Sequence, residues 1–173
     1  DPWYEQYTRW IVSSAKGDLG SSYTYQIPVT TIIGERALNT FWLSLVTTIM
    51  LYAIAIPLGV IAGRYQDSLA DRGILLYSFI TYAIPTFVLA LLFIYFFGFK
   101  LNWFPTTGSV DIRVESGTFG FYMSKLYHII LPAFTGAVLG TTGTIQFLRS
   151  EIIDAKSMDF VRTARSKGVP QRK

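Results

Sequence analysis

Three long stretches of the chain carry no charged side chain: Ala37 to Gly63, Gly73 to Phe99, and Leu126 to Leu148 with His128 taken as neutral. A bilayer core is about 30 Å thick, so a helix rising about 1.5 Å per residue crosses it with about 20 apolar residues. The pattern predicts three such helices, over residues 39–63, 73–99 and 129–148. Arg64 closes the first, Arg72 and Lys100 bound the second, and His128 and Arg149 bound the third. Lipid offers no hydrogen-bond partners, so helix is the local structure that satisfies these backbones.

The third run is the least apolar, with Thr135, Thr141, Thr142, Thr144 and Gln146 among Gly136, Gly140 and Gly143. Small and polar residues suit a helix packed against other helices, and Gly136 and Gly140 have the small-xxx-small spacing of close packing. Each run holds one proline: Pro57, Pro85 and Pro132. A proline bends a helix where nothing compensates, and is tolerated where neighbours re-satisfy the backbone. For any single one, tolerance is the simpler reading; the functional reading is a bend that shapes a passage.

The connecting segments have their own patterns. Trp3, Tyr4, Tyr7, Trp10 and Ile11 fall at helical spacing, an amphipathic helix with aromatics suited to a membrane interface. Residues 17–22 read as a turn, and Val29, Ile32, Ile33 and Leu38 then resume a helical pattern. Residues 64–72 form a short turn. Residues 100–128, with Trp103, Pro105, Gly108, Gly117 and Gly120, predict an irregular loop that either covers the bundle or docks a partner. Beyond the third run, Ser157 and Asp159 are good helix starters, and Gly168 with Pro170 stops what they start. Phe160, Val161 and Ala164 share one face of that short helix, with Arg162, Arg165 and Lys167 around them.

Composition and charge sharpen this picture. Of 173 residues, 51% are hydrophobic and 15% charged, against roughly 25% charged in soluble domains; a soluble globular protein is disfavoured. The absence of cysteine excludes disulfides and thiolate zinc sites, and a single histidine excludes a histidine-rich metal site. The net charge of +4 is uneven: seven of the fifteen Lys and Arg lie between Arg149 and Lys173. Basic loops stay cytoplasmic, so this end is expected inside, as is 64–72, with 100–128 and 1–38 outside. An outer N-terminal segment without a signal peptide predicts a spanning helix upstream of Asp1. The abrupt end after a helix-stop signal predicts more chain downstream. The expectation is a piece of a larger all-α polytopic protein.

No phosphate-binding loop and no nucleophile–base pair can be read, so no catalytic residue, cofactor or metal ligand is assigned. An intramembrane enzyme would place acidic or histidine residues within its spans; none lie there, and His128 sits at a boundary, where a capping or interface contact suits it. By composition alone the basic tail reads as an anchor to anionic lipid, which keeps a non-transport anchor subunit open. Tyr82, Thr86, Thr141, Thr144 and Gln146 are polar enough to line a path, and equally suited to joining helices.

The residues of the tail also carry a resemblance. Asp159-Phe160-Val161-Arg162-Thr163-Ala164-Arg165-Ser166-Lys167-Gly168 closely resembles the cytoplasmic loop of bacterial ABC-importer permeases of the dipeptide/oligopeptide/nickel branch. Tyr7-Thr8-Arg9-Trp10 with residues 17–22, Ile56-Pro57-Leu58-Gly59-Val60, Trp103-Phe104-Pro105, and His128-Ile129-Ile130-Leu131-Pro132-Ala133 resemble that branch in the same order. The resemblance implies helices two to four of a six-helix permease in the bacterial cytoplasmic membrane. It implies that residues 159–168 form the coupling helix, seated in a cleft of an ATP-binding subunit that would bind ATP and magnesium. Phe160, Val161 and Ala164 would bury there while Arg162, Arg165 and Lys167 pair with acidic rims, the helix acting as a stiff lever continuous with the third span. The wider importer signature has Glu-Ala-Ala where this chain has Arg162-Thr163-Ala164, a departure that fits the peptide branch. The further partners implied are a homologous second permease, an extracytoplasmic substrate-binding protein or lipoprotein docking on 1–38 or 100–128, and lipid, with no nucleic acid. Oligopeptide is the expected cargo; dipeptides, nickel chelates and glutathione are the branch's alternatives.

Overall fold

Ser68 marks where the chain turns back into the bundle. Its hydroxyl accepts the Asp71 N–H at 3.2 Å and caps the helix that begins at Leu69. The computed structural model describes residues 2–168, which fall into two units divided between Ser44 and Leu45. The helices are α1 (Trp3–Ala15), α2 (Val29–Arg64), α3 (Leu69–Ala83), α4 (Thr86–Phe93), a π-helical stretch (Ile94–Lys100), α5 (Phe119–Ser157) and α6 (Asp159–Ser166). Among the described residues the sole β feature is an isolated bridge, Ser21 to Pro28.

In the first unit, α1 buries none of its residues, and Tyr7 stacks on Trp10 with ring centres 6.3 Å apart. Gly17 and Gly20 take φ of 90° and 75°, a left-handed backbone in which glycine escapes the Cβ clash, and so reverse the chain after α1. Helix α2 begins at Val29, ten residues before the predicted span, and continues into the second unit.

In the second unit, α2 and α5 meet along four close approaches. A Cβ placed on Gly59 would lie 2.8 Å from Leu148 Cβ, and one on Gly63 would lie 2.7 Å from Ile152 Cβ. One on Gly136 would meet Thr47 at 3.2 Å, and one on Gly140 would meet Leu51 at 2.5 Å. Each pair is separated by 89 positions, so the two helices run parallel. The small residues change sides along the seam: α5 supplies them at one end, α2 at the other. This is the packing predicted for Gly136 and Gly140, now with its partner, plus a second glycine pair that the sequence reading did not single out. Ala55, Ala62, Ile74 and Ile145 form the buried core, with Leu51, Leu58 and Tyr77 against it.

Helix α3 runs the other way. Asp71 pairs with Arg149, Tyr77 with Thr141, and Thr81 with Thr142, an antiparallel register. The second predicted span is not one straight helix. It breaks at Ile84–Pro85, where α3 and the α4–π segment meet at 103°. Pro85 cannot donate to the helix and pushes Ile84 (ψ 124°) into extended backbone. Pro57 and Pro132 stay inside continuous helices. Helix α3 has 15 residues, about 22 Å, too short to cross about 30 Å alone. Helices α2 and α5 are each long and apolar enough to cross a membrane, and the bent pair makes a third span where it is counted as one. The chain is a multi-pass all-α membrane protein with two or three apolar spans among the described residues.

Two predicted boundaries move. Only residues 65–68 lie between α2 and α3, and only 101–118 between the π stretch and α5, since 119–128 are helical. The 101–118 loop packs on its own surroundings. Trp103 lies on Phe97 (5.9 Å), Phe104 on Tyr127 (5.6 Å), and the Tyr127 hydroxyl donates to the Trp103 carbonyl. The space beside Gly98 is taken by Thr106, so no side chain fits there.

Candidate functional site

Helix α5 continues past the uncharged run to Ser157, whose hydroxyl donates to the Asp154 carbonyl at 2.7 Å. Ser157 therefore closes α5 rather than starting the next helix. Met158 (φ −66°, ψ 148°) is extended, and its carbonyl accepts the N–H groups of Val161 (3.0 Å) and Arg162 (3.2 Å), which opens α6. Asp159 lies in the first turn, where a carboxylate suits the positive end of the helix. Gly168 (φ 74°) ends the segment as its residue type predicts. Helix α6 is thus a separate element, set off from α5 by one extended residue, Met158, so the expected continuity with the third span is corrected.

On α6, Phe160 is 67% exposed and Val161 half-buried, while Asp159, Arg162 and Thr163 are exposed, as is Lys167 just beyond. The Thr163 hydroxyl donates back to the Asp159 carbonyl at 2.8 Å. The roles expected of Ala164 and Arg165 rest on side chains outside the described residues, as does Pro170. The result is a short helix that exposes both a large aromatic and basic side chains, an arrangement able to enter an apolar cleft with an acidic rim.

The base that carries α6 contains residues the sequence reading missed. Arg149 grips Asp71 with two hydrogen bonds, Nε to Oδ1 at 2.7 Å and Nη2 to Oδ2 at 2.9 Å. Asp71 is 1% exposed and also accepts the Asp67 N–H at 2.9 Å. Three residues before α6, the Lys156 ammonium donates to the carbonyls of Gly63 (3.2 Å) and Arg64 (2.9 Å), the last of α2. Two signals were available: Ser68-x-x-Asp71 has capping-box spacing, and a lysine suits a helix C-terminus. Their partners, however, lie about 80 to 90 positions away in sequence.

The five path candidates do not converge. Thr141 is fully buried and spent on helix contacts, its oxygen 2.9 Å from the Tyr77 hydroxyl and 2.7 Å from the Val138 carbonyl. Tyr82 is 84% exposed on α3. Thr144 lies in a shallow groove with Tyr52, Ile56 and Phe147. Gln146 is half-buried on α5. Thr86 borders a cleft of about 400 Å³ with His128, Thr106, Thr107 and Thr135, between α4, the 101–118 loop and α5. His128 Nδ1 lies 2.7 Å from the Ser124 carbonyl. That carbonyl only accepts, so Nδ1 carries the proton and His128 makes a contact within its own helix.

The chain is 38% identical over 169 residues to the oligopeptide transport system permease protein AppB of Bacillus subtilis (strain 168), covering 97% of this chain and 52% of that protein. It is 32% identical over 170 residues to a putative peptide transport system permease protein of Brucella abortus (strain 2308), covering 98% and 52%. It is 29% identical over 170 residues to the glutathione transport system permease protein GsiC of Escherichia coli O6:H1, covering 98% and 51%. The chain spans about half the length of the curated relatives it matches. Residues 55–173, which hold two of the four α2–α5 approaches and all of α6, match the binding-protein-dependent transport system inner membrane component, and the chain belongs to that family of transport permeases.

Proposed function

We propose that this chain is part of the membrane-spanning subunit of an ATP-driven oligopeptide importer, and that α6 is its docking element for a separate ATP-binding subunit. The observation that carries the proposal is Phe160: a large aromatic 67% exposed on α6, a helix that also exposes Arg162. Burying such a side chain in a partner's pocket is a strong source of affinity. The α6 end then faces the cytoplasm, and 1–38 with the 101–118 loop faces outward, where a substrate-binding protein delivers cargo. ATP and magnesium act on the partner subunit, a homologous second permease completes the path, and this chain supplies helices and no catalytic group. Oligopeptide cargo follows the relative of highest identity among those named above; glutathione and nickel chelates are the alternatives within the same class.

The test is purification from native membranes in mild detergent, wild type beside Phe160→Asp and Arg162→Gln. A docked helix loses the ATP-binding subunit with Phe160→Asp. A basic lipid anchor tolerates loss of the aromatic better than loss of charge, and in that case no ATPase accompanies the wild type. Competition of labelled oligopeptide uptake by glutathione and by nickel chelate settles the cargo class.

A further inference from the structure

We propose that the Asp71–Arg149 ion pair, with the Lys156 cap on α2, is a clamp that makes the ends of α2, α3 and α5 move with α6 as one body. The inference rests on the reading of α6 as the docking element. Docking alone moves nothing: a displacement of α6 reaches the spans only through what ties its base to them. Met158 is extended, so α6 is not a continuation of α5, and the ties must lie in the last turns of α5.

Those ties are specific. Arg149 and Lys156 are seven residues apart on α5, about two turns or 10 Å. Arg149 reaches α3 through two charge-assisted bonds of 2.7 and 2.9 Å. Lys156 reaches α2 through the carbonyls of Gly63 and Arg64. Between them, Ile152 lies against Gly63, where an added Cβ would also stand 3.1 Å from the Arg149 carbonyl. Asp71 in turn accepts the Asp67 N–H, which fixes the turn joining α2 to α3; Asp67 itself has φ 63°. One carboxylate therefore holds a helix start, a turn and the neighbouring helix together.

Stability is a poor reason for such a pair. Desolvating two charges costs about as much as their attraction returns, and apolar replacements are often as stable. What a bidentate arginine–carboxylate pair supplies is fixed orientation. At the junction between a docking helix and three helices, fixed orientation converts a push on α6 into a common displacement instead of local bending.

The test uses the full protein assembled with its ATP-binding subunits, second permease and binding protein in proteoliposomes. Two readouts are taken: tritiated tryptic peptides imported per ATP hydrolysed, and spin-label distances between Gln66→Cys and Glu151→Cys, two exposed positions in a chain without cysteine. Asp71→Asn and Arg149→Lys are expected to retain the ATPase subunit and basal hydrolysis, to broaden the distance distribution, and to lower import per ATP at least tenfold. The swap Asp71→Arg with Arg149→Asp is expected to recover part of both. Unchanged import per ATP in Asp71→Asn overturns the clamp, whether or not the distances broaden. Failure of the wild type to retain any ATPase overturns instead the docking reading on which the clamp rests. If Asp71→Asn does not assemble, Arg149→Lys decides, since it keeps the charge and loses only the two-pronged geometry.

Discussion

The hydroxyls of Tyr77 and Thr141 lie 2.9 Å apart in the middle of the α3–α5 seam, and the Tyr77 hydroxyl is also 3.3 Å from the Val138 carbonyl. Hydrogen bonds between membrane helices are worth about 0.6 kcal/mol on average and about 1.7 at most. Tyr77→Phe keeps the ring and removes only this link. It is expected to lower stability by about 0.5–1.5 kcal/mol, read as a lower unfolding temperature in detergent. Tyr82→Phe removes a hydroxyl from a side chain 84% exposed on the same helix and is expected to leave that temperature unchanged.

The glycine seam makes a sharper prediction. At Gly63 an added methyl group meets the Ile152 side chain at 2.7 Å and the Arg149 carbonyl at 3.1 Å. Backbone cannot yield as a side chain tip can, so Gly63→Ala is expected to force α2 and α5 apart at a cost of about 1–3 kcal/mol. Gly143→Ala, on α5 with nothing within 4 Å, is expected to be neutral or stabilising by up to about 1 kcal/mol through helix propensity. Thermal unfolding of the two variants side by side checks both.

Pro85 separates α3 from α4 by 103°. Pro85→Ala restores the missing N–H and lifts the restriction on Ile84. The two helices are then expected to straighten toward one rod. Spin labels at Tyr82 and Phe87, both well exposed, read this as a changed separation. An unchanged distance in Pro85→Ala shows that packing against α5, and not the proline, sets the bend.

The helices of the uncharged runs were legible because lipid leaves a chain few choices: an uncharged run long enough to span must be helical. Helix ends were less legible, because charge marks the edge of the bilayer and not the end of a helix. Helix α2 runs 36 residues and α5 39, well beyond the roughly 20 that a membrane requires. The three prolines could not be told apart from local sequence. Pro57 lies between buried Ala55 and Gly59, and Pro132 between buried Leu131 and Ala133, whereas Tyr82 and Phe87 on either side of Pro85 are exposed. At the first two, packing holds the helix through a missing bond; at the third it does not. Asp71 and Arg149 were visible only as charges at span edges, because the partner of each is set by the antiparallel register of α3 on α5. The residues of α6 were the most legible part of the site, since an amphipathic helix with a stop signal is written locally.

The parallel seam also constrains how the protein is made. Gly59 and Gly63 leave the ribosome 89 residues before the side chains that fill the space beside them. At about 5–20 residues per second, α2 waits on the order of 4–18 s for its permanent neighbour. During that interval α3 follows it, joined by the four-residue turn at 65–68. The space beside each of these glycines is therefore filled only after α5 has been made.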